Sequence, residues 1–124
     1  MNNLNETTGQ IIDAGITVHK ILGPGLLEKV YHQCLLYELE LGGLKVVSEL
    51  DMPLKYKNKR FDTGFRLDLL GEGSIVVEIK AVSDINPVFK SQLLTYLKLS
   101  DLKLGLLLNF NVPLFKNGIT RLIN

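Results

Sequence analysis

Ser74-Ile-Val-Val-Glu-Ile-Lys-Ala81 is the stretch on which the fold turns. It is rich in branched apolar residues and follows Gly71-Glu72-Gly73, so it predicts a β-strand entered from a turn. Side chains alternate between faces along a strand. Ile75, Val77 and Ile79 therefore share one face, and Val76, Glu78 and Lys80 the other. A strand this apolar belongs inside a sheet. Charges buried there are costly unless they are paired or bound to a metal. The spacing predicts a site built around Glu78 and Lys80.

The flanking segments supply its neighbours. Phe61–Leu70 reads as a long strand, bent at Gly64, and Gly71–Gly73 joins it to 74–81 as an antiparallel hairpin. With the turn centred near 72, Asp68 falls opposite residue 76 and, by parity, on the face of Glu78. A slip of one residue would reverse that. Leu44–Leu50 and Pro53–Tyr56 read as earlier strand segments, and Lys57-Asn58-Lys59-Arg60 as a polar turn. Downstream, Pro87 opens a helix to about Leu99, in the first-turn position that proline tolerates. Lys103–Phe110 is a further buried strand, and Gly118–Ile123 a short last one.

Two helices precede the strands. Ile11, Gly15, Val18 and Leu22 recur at spacings of three and four, which predicts a helix over 5–22. Gly23-Pro24-Gly25 ends it. The second runs from Leu26 to Leu41, with Leu27, Val30, Tyr31, Cys34, Leu35 and Leu41 as its apolar stripe and Gly42-Gly43 closing it. Glu28 and Tyr31 are three apart and share a face. The predicted order is α-α-β-β-β-α-β-β.

Bulk properties narrow the function. The 124 residues, 46% hydrophobic and 22% charged, fit one domain over 1–124 with one core. A net charge of +1 is too small to hold a long nucleic acid by charge alone. Any such contact has to be local or shared between subunits, and a homodimer would enlarge the surface. The single cysteine, Cys34, excludes an intrachain disulfide and a multi-cysteine metal site, and it points to a reducing cytoplasm. The N-terminus lacks the basic region and apolar run of a secretory signal. No apolar run approaches the roughly 18 residues of a membrane span.

The polar residues then stand out. Glu28 lies on a helix, Asp68 and Glu78 on paired strands, Lys80 beside Glu78, and Gln92 on the next helix. Carboxylates and a carboxamide are hard oxygen ligands that suit Mg²⁺ or Mn²⁺. Such an ion polarises a phosphate and acidifies a bound water. A neighbouring lysine could orient that water or offset charge developing in the transition state. The set amounts to equipment for phosphodiester hydrolysis.

Asp68 followed by Glu78-Ile79-Lys80 resembles the signature of the PD-(D/E)XK nuclease superfamily, with Leu67 in place of the proline. Gly25-Leu-Leu-Glu28-Lys-Val-Tyr31 resembles the motif that names the GxxExxY family. So do Gly64-Phe65-Arg66-Leu67-Asp68, Gln92-Leu-Leu-Thr-Tyr96, Gly105-Leu-Leu-Leu-Asn109-Phe110 and Gly118-Ile-Thr-Arg121-Leu-Ile-Asn124. The resemblance runs from about Ile11 to the end. It implies an α+β, restriction-endonuclease-like fold: an α-β-β-β-α-β core whose mixed central sheet is flanked by helices. It implies Asp68 and Glu78 as principal metal ligands, Glu28 completing the metal site, Lys80 positioning or activating water, and Gln92 as an accompanying helical polar residue. Tyr31 and Tyr96 belong to the pattern without an assigned chemistry.

Plainer alternatives stand beside these roles. Glu78 and Lys80 also fit a structural ion pair on a solvated face, Asp68 a strand-end residue facing water, and Glu28 a partner for the helix dipole. Gln92 also fits a solvent-facing helix position. Tyr31 and Tyr96 fit core residues with bonded hydroxyls. His19 and His32 fit structural histidines better than catalysts, and Cys34 a small buried hydrophobe. Lys57, Lys59 and Arg60, with Lys55, form either a solvated turn or a phosphate-contacting loop beside the site. Arg66 either binds a substrate phosphate or pairs with a carboxylate.

Overall fold

The computed structural model describes residues 4–124; residues 1–3, part of the N-terminal stretch read above as lacking a secretory signal, lie outside them. The elements run α1 (Leu4–Leu22), α2 (Glu28–Leu41), β1 (Val46–Tyr56), β2 (Lys59–Gly71), β3 (Ile75–Lys80), α3 (Pro87–Ser100), β4 (Leu104–Asn109), a 3₁₀ turn at Phe115–Gly118, and β5 (Ile119–Ile123). The strands form one sheet in the order β1-β2-β3-β4-β5. Among the described residues, β3 and β4 are the parallel pair and the other neighbours are antiparallel. A parallel pair needs a long crossover, and α3 supplies it. The expected α-β-β-β-α-β succession is present as α2-β1-β2-β3-α3-β4 in a mixed sheet. Among the described residues, no helix is long and apolar enough to cross a membrane.

The alternation read in β3 decides the layering. Ile75, Val77 and Ile79 pack with Ile11 and Val18 of α1 and with Tyr31, Leu35 and Leu39 of α2. Val76 packs on the opposite face with Leu93 and Leu97 of α3. Helices thus cover both faces, and Glu78, on the α3 face, is only 5% exposed. Fully burying a side chain such as Ile79 contributes about 1.5–3 kcal/mol. Gly105 lets α3 approach β4, since a Cβ there would stand 2.9 Å from Leu93.

Several boundaries differ from expectation: α2 begins at Glu28 rather than Leu26 and β1 at Val46 rather than Leu44, and three others bear on the site. Ser74 belongs to the turn: its N–H donates to the Gly71 carbonyl (2.9 Å), and Glu72 and Gly73 between them both have positive φ, the pattern of a type I′ hairpin turn. The pairing of Leu69 with Val77 therefore centres the hairpin on 73 rather than 72. That sets Asp68 at the level of Glu78 instead of Val76 and leaves its face unchanged. β1 runs unbroken through Pro53, which sits in a register shift at the sheet edge, where a missing N–H is tolerated. Lys59 and Arg60 belong to β2, and the turn is Lys57-Asn58 alone.

The β1–β2 hairpin also exchanges faces midway. In β1, Val46 packs on the α1–α2 side, whereas Leu50 and Met52 pack on the α3 side. In β2, Leu69 packs on the α1–α2 side and Leu67 on the α3 side. Residues an even number apart should share a face. The exchange occurs at Glu49 and Asp68, where Glu49 takes φ 52°, a left-handed conformation uncommon for a side-chain-bearing residue.

Candidate active site

The sheet opens at Asp68 and Glu78. Backbone pairing of β2 with β3 ends at Leu69 and Val77. Beyond it, side chains take the place of carbonyls. The Asp68 N–H donates to Glu78 Oε2 (2.9 Å), and the Ile79 N–H donates to Asp68 Oδ2 (2.8 Å). Each carboxylate spends one oxygen on this exchange, which leaves the other for a further partner. The arrangement presses two acids together in a partly dry place. Burial pushes the Glu78 carboxyl up to about 8, and Asp68 adds to the rise, against the Asp68 N–H bond and Lys80.

Glu28 reaches this opening from the other layer. It is the first residue of α2, and no side chain caps that end, so it also faces the positive end of the helix dipole. Partial burial raises its pKa and Asp68 adds to the rise, while Lys80 and His32 oppose it. What places Glu28 is Tyr31. The Tyr31 hydroxyl donates to the Gly23 carbonyl (2.6 Å) and accepts from the Leu26 N–H (3.0 Å). The ring is fully buried and stacks on Phe110 at 4.7 Å. Gly25, at φ 101°, makes the turn that this clamp holds. The spacing from Gly25 through Glu28 to Tyr31 is thus a loop-and-clamp device that sets one acid at a helix start.

Lys80 is half-buried, and its Nζ lies over the Phe89 ring of α3 at 4.4 Å from the centroid, a favourable cation–π contact. It makes no ion pair within 4.0 Å among the described residues, so the structural Glu78–Lys80 pair is not what forms. Tyr96 of α3 stacks on Phe65 at 4.9 Å. Burial raises its pKa, and the charges of Glu78 and Asp68 add to the rise. Gln92, one turn before Tyr96, is exposed. The chain after Lys80 is tied down by Asn109: its Oδ1 accepts from the Val82 N–H (3.1 Å) and the Asn111 N–H (3.2 Å), and its Nδ2 donates to the Val82 carbonyl (2.9 Å).

A cleft of about 470 Å³ runs beside the pair, lined among others by Glu28, His32, Ser48, Glu49 and Asp68. Sequence reasoning passed over Glu49 and Ser48 and gave His32 a structural role. His32 Nε2 is hydrogen-bonded to Ser48 Oγ (2.7 Å), which holds α2 to β1 across the cleft floor. No periodicity marks Glu49, because its place depends on the left-handed kink. His19 is structural, its Nε2 donating to the Val112 carbonyl (2.7 Å). Cys34 is half-buried rather than buried.

The expected phosphate contacts lie elsewhere or are engaged. Arg66 pairs with Asp51 directly across the ladder, Nε to Oδ1 at 2.9 Å, and Glu49 lies within its electrostatic reach. Lys57, Lys59 and Arg60 do not lie beside the site. They occupy the far end of the β1–β2 hairpin, eight or more residues along the chain from Asp68, because Lys59 and Arg60 continue the strand.

A family model described as the PD-(D/E)XK nuclease superfamily matches residues 5–122. The chain belongs to that superfamily. No curated protein and no solved structure matches it. The mixed five-stranded sheet with three helices is consistent with the superfamily's restriction-endonuclease-like fold. Membership supports a nuclease-like function, implies a nucleic-acid substrate, and brings a general use of divalent metals. Among the described residues, no three His, Cys, Asp or Glu side chains are grouped closely enough to hold an ion as placed. The donor chemistry nevertheless fits one: Asp68, Glu78 and Glu28 offer hard oxygens, and the two innermost acids repel each other without a cation in contact.

Proposed function

We propose that this chain is a Mg²⁺- or Mn²⁺-dependent nuclease of the GxxExxY family that hydrolyses phosphodiester bonds in DNA or RNA. The observation that carries the reading is the Asp68–Glu78 exchange at the point where the sheet opens, with Lys80 two residues on. Asp68, Glu78 and Glu28 would hold the ion, which when bound polarises the phosphate and acidifies a water. The chain's own residues do the rest. Lys80 rests on an aromatic ring rather than on a carboxylate, so its ammonium is available to an attacking water or to charge developing on the phosphate. Tyr31 keeps Glu28 at the rim. Gln92 and Arg66 serve the substrate side, Arg66 by exchanging Asp51 for a phosphate. A free Cys34 supports a cytoplasmic setting, and the edges of β1 and β5 leave room for a homodimer.

The test is cleavage of single-stranded, duplex and branched substrates by purified protein with Mg²⁺ or Mn²⁺, beside Lys80→Ala and Glu78→Gln. Activity in the wild type that both variants lose supports the reading. Activity that survives in both overturns it.

One observation favours a second reading, a binding module that keeps the fold without turnover: both inner carboxylates already have a backbone partner. Calorimetric metal binding abolished by Asp68→Ala, with no turnover on any substrate, would select it.

A further inference from the structure

Strands β1 and β2 outrun the rest of the sheet. β3 pairs with Leu69–Gly71 of β2 only; α3 still covers Leu67 and Phe65, and beyond Phe65 the two strands continue as an uncovered two-stranded ribbon to the turn at Lys57-Asn58. Every residue from Lys55 to Gly64 is exposed. The register places Lys55 opposite Arg60 and Tyr56 opposite Lys59. One face of the ribbon tip is therefore cationic, and the other carries Leu54, Tyr56, Lys59 and Phe61. Like charges directly opposite each other destabilise a ladder. The neighbouring Asp62 offsets Arg60 only loosely, at 3.7 Å with its side chain 96% exposed. Lys57 and Lys59 lean on the rings of Tyr56 and Phe61, at 5.7 and 5.2 Å from the centroids. In a chain of net charge +1, positions 55–60 hold four cations and no acid. A repulsive cluster kept at an exposed tip points to an anionic ligand.

We propose that this ribbon is a DNA-binding arm that lies in the major groove of the duplex flanking the cut site, holding phosphates with Lys55, Lys57, Lys59 and Arg60. This deepens the nuclease reading and rests on it. The major groove of B-DNA, about 12 Å wide, admits a two-stranded β-ribbon. The major groove of an RNA duplex is too narrow for side chains to read, so the arm selects DNA. Reach follows from the strand itself. Lys59 and Asp68 are nine positions apart (68 − 59) on β2, a span of about 30 Å at a rise of about 3.3 Å per residue. DNA advances about 3.4 Å per base pair. Along the extended ribbon the tip therefore meets phosphates about nine base pairs from the scissile one. Gly64 lets the two strands lie close at the base of the ribbon, since a Cβ there would meet Leu54 Cβ at 2.4 Å.

The experiment measures affinity by fluorescence anisotropy in EDTA, across a salt series. The protein is the whole chain and a variant carrying Lys55→Ala, Lys57→Ala, Lys59→Ala and Arg60→Ala. Probes are DNA duplexes of about 24 and about 8 base pairs, either side of the arm's reach, with single-stranded DNA and an RNA duplex of the longer length. On the long duplex, the slope of log affinity against log salt should be shallower in the variant by about 3.6, four phosphates at about 0.9 each. The wild-type preference for the long duplex should collapse with it. A second variant with the three lysines changed to arginine should keep the slope, and circular dichroism checks that both fold. An unchanged slope, an equal loss on the short duplex, or equal binding of single strands or duplex RNA would overturn the arm. If wild type cleaves while the alanine variant binds normally, the arm alone fails. If wild type neither binds nor cleaves any nucleic acid, the nuclease reading fails as well.

Discussion

Asp68 and Glu78 bond each other's strands where the β2–β3 ladder stops: the Asp68 N–H meets the Glu78 carboxylate, and the Asp68 carboxylate meets the N–H of Ile79. Backbone pairing would have closed this part of the sheet. Carboxylate pairing holds it open and keeps two acids side by side at the level where Glu28 arrives from α2. The cost of that proximity falls on Glu78, the more buried of the two.

That cost gives the metal-free protein a distinct pH dependence. The Glu78 carboxyl rises from an ordinary 4.5 to about 8. Between those values the folded chain keeps a proton that the unfolded chain has released. Its contribution to stability is therefore full below about 4.5 and is lost as pH rises toward 8, by at most about 1.4 kcal/mol per pH unit. Thermal melts in EDTA should show Tm falling from about pH 5 to pH 8. Glu78→Gln, which cannot ionise, should flatten the decline, and Mg²⁺ should raise Tm most at the alkaline end. A wild-type Tm that holds level over this range would contradict the assignment.

Tyr31→Phe tests the loop clamp. The substitution keeps the ring on Phe110 but removes the bond to Gly23 and leaves the Leu26 N–H without its acceptor. Losing a partner of a shielded backbone group costs about 1–3 kcal/mol. Urea unfolding should register that loss. Because the clamp positions Glu28, cleavage at saturating substrate should fall more than the stability change explains, at a temperature where the variant is fully folded. Full cleavage in a destabilised but folded variant would confine Tyr31 to a structural role.

Lys80→Met separates charge from packing. Methionine preserves an unbranched side chain against Phe89 while removing the ammonium. The cation–π contact contributes about 0.5–2 kcal/mol, so Tm should fall only modestly, whereas cleavage should drop by about two orders of magnitude or more, the scale of a lost acid–base or electrostatic contribution. Cleavage retained within a few-fold would remove Lys80 from the chemistry.

The layering was legible because β3 alternates cleanly: Ile75, Val77 and Ile79 on one side, Val76 and Glu78 on the other, needs no tertiary information. Gly23-Pro24-Gly25 marked the break between the first two helices, although the second begins at Glu28 rather than Leu26. What sequence could not reveal follows from two departures from periodicity. The type I′ turn at Glu72-Gly73 moved the hairpin centre to 73, a choice of loop geometry that composition leaves open. The face exchange at Glu49 and Asp68 broke the period-two rule in both strands at once. Parity nonetheless put Asp68 with Glu78, because the register moved by two residues. The same rule had no means of bringing Glu49 into the cleft or of seeing that Lys59 and Arg60 extend a strand away from the site.

Glu49 offers the last test, because its backbone and its charge act in opposite directions. At φ 52° a side-chain-bearing residue is strained, by about 1–3 kcal/mol at such positions, and glycine adopts that conformation freely. Glu49→Gly should therefore stabilise the fold by about 1 kcal/mol, read as a higher urea midpoint with an unchanged slope. It should also weaken metal binding, since one of the carboxylates lining the cleft is gone. Glu49→Gln removes the charge and keeps the strain, so it should weaken metal binding to a similar degree without the gain in stability. If both variants bind metal as the wild type does, Glu49 is a cleft wall and not part of the site. If Glu49→Gly is no more stable than Glu49→Gln, the kink is carried by the surrounding strands, and the left-handed residue is not where strain resides.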